Sequence, residues 1–344
     1  MADAGLQHKN PNLIVRGTKE GVSRKTVREL FCEKPDQKFV VPLFQRRYLW
    51  GENQCRKILD DIINVSATTP HFIGTVMTYT NEEEEKVIVD GQQRTTTLLL
   101  LIAILRDKGV CTKDVSRAND PSLFRPTYHD REPFAAVIKG STPTGDSNII
   151  DVVNWYNLWV DELTEDTRKD CLTNMLDHFW LLDFTIPHDD QADGLQVIYE
   201  RLAVRSIEVL GSMYNPRPGL YIGVLDLARN LFLSYYNEAD AIQIYHSTWI
   251  PLELMVARND YVYSEVAEIR FGLILKAYLS VKKWDILDEE KNRKLGIYFA
   301  FKRYMHHVTL VTPLLTGNKN VSAVTNLMKE LLNFIKLGNN NVNG

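Results

Sequence analysis

The chain is short of several things that would each fix a function class. Four cysteines stand at Cys32, Cys55, Cys111 and Cys171, with no two close together, which fits neither a disulfide framework nor a zinc site. No G-x-x-x-x-G-K-[ST] occurs anywhere, so a P-loop is excluded. The histidines form no H-E-x-x-H pair. The longest apolar run, Leu98 to Leu105, is too short to span a bilayer. There is no excess of positive charge either: 40 Lys and Arg stand against 44 Asp and Glu, a net charge of −4. A chain that bound DNA through bulk charge would be basic, so any DNA contact must use a local patch. The N-terminal residues MADAGLQHKNPNL lack the apolar stretch of a signal peptide, and the expected location is cytoplasmic.

What is present is a 344-residue chain, 44% hydrophobic and 24% charged, long enough for two domains. Its most informative stretch is Val87-Ile88-Val89-Asp90-Gly91-Gln92-Gln93-Arg94-Thr95-Thr96-Thr97, followed by Leu98 to Leu105. A β-branched run, an Asp-Gly turn and an apolar run read as a buried strand, a tight turn and a helix N-terminus. Such a joint offers backbone N–H groups and a positive dipole end to an anion. Gly91 lets the backbone turn or approach a ligand closely. Arg94 can fork onto phosphate oxygens, and Gln92 and Gln93 can each donate and accept.

IVDGQQRTTTL resembles the DGQQR signature of the N-terminal domains of GmrSD-type modification-dependent restriction proteins, most nearly their phosphorothioate-sensing SspE-type members. Three further blocks follow the same family order: Pro42-Leu43-Phe44-Gln45-Arg46-Arg47-Tyr48-Leu49-Trp50, then Leu59-Asp60-Asp61-Ile62, then His71-Phe72-Ile73-Gly74. The resemblance implies a ParB/sulfiredoxin-like α/β domain, with Gly91 and Arg94 at the Gly-x-x-Arg spacing of ParB proteins. Sulfiredoxins place a cysteine at this joint and this chain does not, which argues against redox chemistry.

The resemblance also implies binding and hydrolysis of a nucleoside triphosphate with Mg²⁺. Asp90, Gln92, Gln93 and Arg94 are then the catalytic candidates. Arg94 supplies a fixed cation, Asp90 orients the metal or a water, and a glutamine positions the attacking water. Gly91 and Thr95 join Gln45, Arg46, Asp226 and Arg229 as nucleotide-binding candidates. Phe44, Arg46, Arg47 and Tyr48 are candidate readers of modified DNA, phosphorothioate above all, because arginines beside aromatics suit phosphate and base contacts. The same segment also suits a second wall of the nucleotide site, and its aromatics suit the packing of one strand face. Asp226-Leu227-Ala228-Arg229-Asn230 resembles a family helix start, as Gln196-Val197-Ile198-Tyr199-Glu200-Arg201-Leu202 resembles the helix before it. Nothing after residue 300 resembles the HNH nuclease half of family members, so a nuclease partner domain or chain is expected and DNA cleavage by this chain alone is not. A DNA-binding module without hydrolysis and a ParB-like nucleotide-binding switch are the alternative readings.

The expected fold class is α+β. Residues 1–148 make a ParB/sulfiredoxin-like domain with a connector, residues 149–337 a helical domain, and residues 338–344 a disordered tail. Within the first part, residues 22–31 read as a helix, 38–41 as a strand, 53–65 as a helix, 72–79 and 86–89 as strands, and 95–106 as a helix. The connector reads as irregular with one strand at 134–138. Helices are expected at 151–164, 166–182, 192–210, 222–236, 238–257, 262–281, 289–307 and 321–336.

Overall fold

The computed structural model describes residues 21–43, 45–66, 68–110, 115–186, 223–233, 235–236, 238–257, 265–291, 295–311 and 321–340. The class is α+β: a six-stranded mixed sheet with helices on it, followed by a helical region. The strands are β1 (Gly21–Thr26), β2 (Phe39–Val40), β3 (His71–Thr80), β4 (Lys86–Asp90), β5 (Phe124–Arg125) and β6 (Phe179–Thr185), in the order β1-β6-β3-β4-β2-β5. Strands β2, β4 and β5 run parallel, while β3 and β4 form an antiparallel hairpin. The four glutamates after Asn81 close that hairpin. Three are exposed there, and Glu85 pairs with Arg125 of β5 at 2.9 Å.

Among the described residues six helices belong to this half: α1 (Val27–Phe31), α2 (Glu52–Asn64), α3 (Gln92–Asp107), α4 (Arg131–Ile138), α5 (Asn148–Asp161) and α6 (Glu165–Thr173). The run Leu98 to Leu105 is buried on every side, so α3 passes through the middle of the core rather than lying on it. One apolar core runs from Val27 to Leu181, and a second from Val224 to Ile335. The second is built by α7 (Val224–Leu233), α8 (Glu238–Ile244), α9 (Ile250–Ala257), α10 (Glu265–Val281), α11 (Asp288–Lys291), α12 (Gly296–Val311) and α13 (Val321–Asn340).

Several expectations are corrected. Residues 22–31 are a strand and then a short helix, because Thr26 caps α1 in a reciprocal box with Glu29 and stops the helix from starting earlier. Residues 134–138 end a helix, not a strand: Phe134, Val137 and Ile138 are buried at i, i+3 and i+4. Residues 166–182 are α6, one π-helical turn and the start of β6. Because β6 pairs with both β1 and β3, residues 149–181 pack into the first core, and the division expected at 148 does not separate the two cores. The last helix runs on through Gly338 to Asn340, where a tail was expected. The helix expected at 192–210, with the Gln196–Leu202 block, lies outside the described residues, as do Phe44 and Cys111. The other strands and helices expected before residue 108 stand where the periodicity puts them, to within a few residues.

Candidate functional site

The site grows from the end of β4. Asp90 is its last residue and is exposed. Gly91 follows at φ +97°, the left-handed region that favours glycine, and caps α3 without any side-chain hydrogen bond. Any Cβ at Gly91 would stand 2.9 Å from the Thr75 carbonyl oxygen, so the turn is pressed onto β3. The first bond of α3 runs from Thr95 N to Gly91 O at 3.0 Å. The amides of Gln92, Gln93 and Arg94 precede that ladder, at the positive end of a 16-residue helix.

Arg94 reaches back over β3. Its Nη1 donates to the Thr75 carbonyl at 2.8 Å, and its guanidinium lies over Gly74, where a Cβ would be 2.7 Å from Nη2. Burial pushes the Arg94 pKa down, and the nearby Asp90 carboxylate opposes that shift. Among the described residues Thr75 O is its one recorded hydrogen-bond acceptor. A largely buried cation with four further N–H bonds on its fork is primed for an anion.

Gln92 and Gln93 take a different role from the one expected. Gln92 Nε2 donates to the Arg46 carbonyl at 2.6 Å. Gln93 Nε2 donates to the Arg47 carbonyl at 3.0 Å, while its Oε1 accepts from Leu49 N at 2.7 Å and Trp50 N at 3.2 Å. Both side chains are buried. Their amides clamp the segment 46–50 onto the first turn of α3, so Gln93, with both its nitrogen and its oxygen engaged, is not placed as a free water-positioning group. Gln45 helps from the other side, donating from Nε2 to Val89 O at 2.6 Å. Thr95 is 1% exposed, and among the described residues its Oγ1 has no hydrogen-bond partner.

Tyr48 is corrected as a DNA reader. It is 2% exposed, and its O–H meets Thr97 Oγ1 at 2.7 Å. Thr97 donates its own proton to the Gln93 carbonyl, so Tyr48 is the donor of that pair. Arg46 and Arg47 are half-buried, and Arg47 Nη1 bonds Asp146 Oδ2 at 3.2 Å. Asp130, which the motif reading missed, anchors the segment: it is 1% exposed and accepts from Tyr48 N, Thr127 Oγ1 and Ser147 Oγ, each at 2.6 Å. The one local signal was Thr127 three residues ahead of an aspartate; the partner that matters is 82 positions away.

Asp226 and Arg229 are buried in the second core. Arg229 is fully buried in α7, bonded to Asp226 Oδ1 at 2.6 Å and Glu253 Oε1 at 3.0 Å. Its charge is held by carboxylates of the second core, so both residues, expected as nucleotide ligands, are here partners of each other and of Glu253. The two halves do touch nearby, through Tyr128 against His246 at 4.2 Å between ring centroids and His129 against Tyr245 at 6.0 Å.

Three of the four blocks of the resemblance thus converge on one strand–turn–helix joint, and the fourth, Leu59 to Ile62, lies in α2 with Asp61 against His71 at 3.6 Å. A family model, the N-terminal domain of the GmrSD restriction endonuclease, matches residues 27–209, more than half of the chain. The chain belongs to that family. The match begins at α1 and takes in the whole GmrSD-type joint, the sheet from β2 to β6 and the clamp on segment 46–50. Among curated proteins none matches the chain. No described helix is long and apolar enough to cross a membrane.

Proposed function

We propose that this chain is the NTP-binding and NTP-hydrolysing, modified-DNA-sensing part of a restriction system, with phosphorothioate DNA as the first modification to test and an HNH-type nuclease supplied by another domain or chain. One observation carries the nucleotide reading: a desolvated Arg94 fork and three open amides meet at a side-chain-uncapped helix start, beside the exposed Asp90. Fixed donors of this kind stabilise phosphate charge without having to reorganise. Membership of a restriction-protein family supports the DNA-sensing half.

Mg²⁺ fits this site only as a companion of the triphosphate. Among the described residues no group of three His, Cys, Asp or Glu could cage an ion, but Mg²⁺ commonly uses one or two carboxylates, waters and the substrate's own phosphates. Asp90 is the carboxylate that would hold it, and the ion would supply charge neutralisation. The protein's own part is plain. The amides of 92–94 hold phosphate oxygens, Arg94 faces the developing negative charge, and the glutamine clamp keeps segment 46–50 against the turn.

The clamp favours a second reading as well. With both glutamine amides engaged by backbone, the site suits nucleotide binding as a switch with slow turnover. Phosphate release from each NTP, with and without DNA, tests both readings. Turnover that falls about tenfold or more in a folded Arg94→Ala variant, ~1.4 kcal/mol in barrier, supports hydrolysis at this joint. Nucleotide binding without phosphate release selects the switch, and neither binding nor release sinks both.

A further inference from the structure

Strand β6 has an unusual property: residues on both of its faces are largely apolar. Phe179 and Leu181 face the core together with Asp183 and Thr185, and Trp180, Leu182 and Phe184 alternate with them on the other, half-exposed face. The pairing registers extend that second face across three strands. Val22 stands beside Phe184 and Phe184 beside Met77; Arg24 stands beside Leu182 and Leu182 beside Thr75; Thr26 stands beside Trp180 and Trp180 beside Phe72. Val22 is 58% exposed and Phe72 45%.

The rows lead to the site described above. Met77 pairs with Asp90 on β4, so the Val22–Phe184–Met77 row ends at the exposed carboxylate of the joint. Thr75, in the next row, is the residue whose carbonyl holds Arg94. The face is continuous with the mouth of the nucleotide site.

Its chemistry is specific. Phe72 and Trp180 stack at 4.5 Å between centroids, tilted by 37°, and the Arg24 guanidinium lies over the Trp180 ring at 4.4 Å. Among the described residues that ring is the recorded partner of Arg24. The one carboxylate within these three strands is Asp183, which lies on the opposite face and is held by Lys25 and Lys86. A partly exposed ring pair with an arginine beside it, on a face to which β1, β6 and β3 themselves contribute no acid, is the composition on which bases stack and a phosphate is neutralised. A protein-docking face would show the same apolar area, but it gives no reason for an exposed arginine whose recorded partner is a ring, on a surface that ends at a phosphate-directed joint.

We infer that the open face of β1, β6 and β3 is a stacking platform for unpaired nucleotides of DNA, with bases on Phe72 and Trp180 and a phosphate on Arg24. The inference rests on the DNA-sensing half of the proposed function and is independent of hydrolysis. It also supplies a reader in place of Tyr48, which is buried.

The test uses the full chain and a fluorescently labelled thymidine oligonucleotide, followed by anisotropy at low and at raised salt. The wild-type chain is expected to bind, more weakly as salt rises. Phe72→Ala and Arg24→Ala, both at exposed positions, should each weaken binding about fivefold or more, the low end of what one stacked base contributes. Phe72→Tyr should retain binding. NTP turnover without DNA should stay at the wild-type level in all three variants, so a platform without turnover and turnover without a platform are separate results. Unchanged affinity in folded Phe72→Ala and Arg24→Ala overturns the inference. So does a wild-type chain that ignores the single strand at low salt, which would assign the face to a protein partner.

Discussion

The guanidinium of Arg94 occupies the space that a side chain at Gly74 would need: a Cβ built there stands 2.7 Å from Nη2 and 2.8 Å from Cζ. Gly74 also sits at φ +108°, where L side chains are strained. The two residues come from different blocks of the sequence, and the glycine makes the bed on which the arginine lies. Gly74→Ala is expected to destabilise the fold by about 1–3 kcal/mol through strain and displacement. It should also reduce nucleotide affinity or turnover as much as Arg94→Ala does. Denaturant midpoints and phosphate release measure the two effects separately. A stable Gly74→Ala protein with wild-type nucleotide handling would show that Arg94 acts from another position.

The glutamine clamp predicts a different pattern. Gln93→Ala removes the acceptor for Leu49 N and Trp50 N and the donor to the Arg47 carbonyl. Leaving such groups without partners costs about 1–3 kcal/mol. Gln93→Glu keeps the acceptor but sets a buried carboxylate oxygen against the Arg47 carbonyl, so it too should destabilise the fold. If Gln93 were a water-positioning group instead, both variants would abolish turnover at wild-type stability. The clamp expects the loss of turnover to follow the loss of stability, and a denaturation series on the two variants beside their turnover decides between them.

The joint itself was legible because its physics is local. A β-branched strand, a glycine that must turn and an apolar helix follow one another without a gap, and β4, Gly91 and α3 form as their periodicities require. What escaped depended on distant partners. The alternation in 179–185 is hidden because Trp180, Leu182 and Phe184 on the open side are as apolar as Phe179 and Leu181 inside, so a period of two cannot be seen. Tyr48, flanked by arginine, suits from its neighbours alone either a DNA reader or one packed strand face; its burial is decided by Asp130 and Thr97, far along the chain. Asp226 and Arg229 have helix-start spacing and give no sign that Glu253 will claim the arginine.

The burial of Tyr48 has its own consequence. Burial, reinforced by the nearby Cys55 thiol, holds its phenol pKa well above the usual tyrosine range, so it stays a neutral donor to Thr97. Tyr48→Phe keeps the packing and removes one hydrogen bond, worth about 1 kcal/mol. Affinity for phosphorothioate and plain duplexes in gel-shift titrations should be unchanged. A loss confined to the modified duplex would return Tyr48 to the DNA-reading role that its position argues against.

The second core carries a pH signature. Asp226, Glu253 and Glu268 crowd around Arg229, and Glu268 also accepts from Leu225 N at 2.9 Å. Burial, with the Asp226 carboxylate adding to it, raises the Glu268 pKa to about 8. In the unfolded chain a glutamate titrates near ~4.3. Between these values the folded state holds a proton that the unfolded state has released, so stability falls as pH rises through that window. The stabilising contribution is fully present below the unfolded value and is lost by the time the pH passes the folded one. The wild-type chain should therefore lose a few kcal/mol between about pH 5 and pH 8 that a Glu268→Gln variant does not lose, since a pKa unit corresponds to ~1.36 kcal/mol. The glutamine keeps an oxygen to accept from Leu225 N and never ionises. Chemical denaturation of both proteins at pH 5, 6.5 and 8 tests this. The difference between them should shift in favour of the variant as the pH rises, and parallel curves would show that Glu268 is ionised in the folded protein throughout.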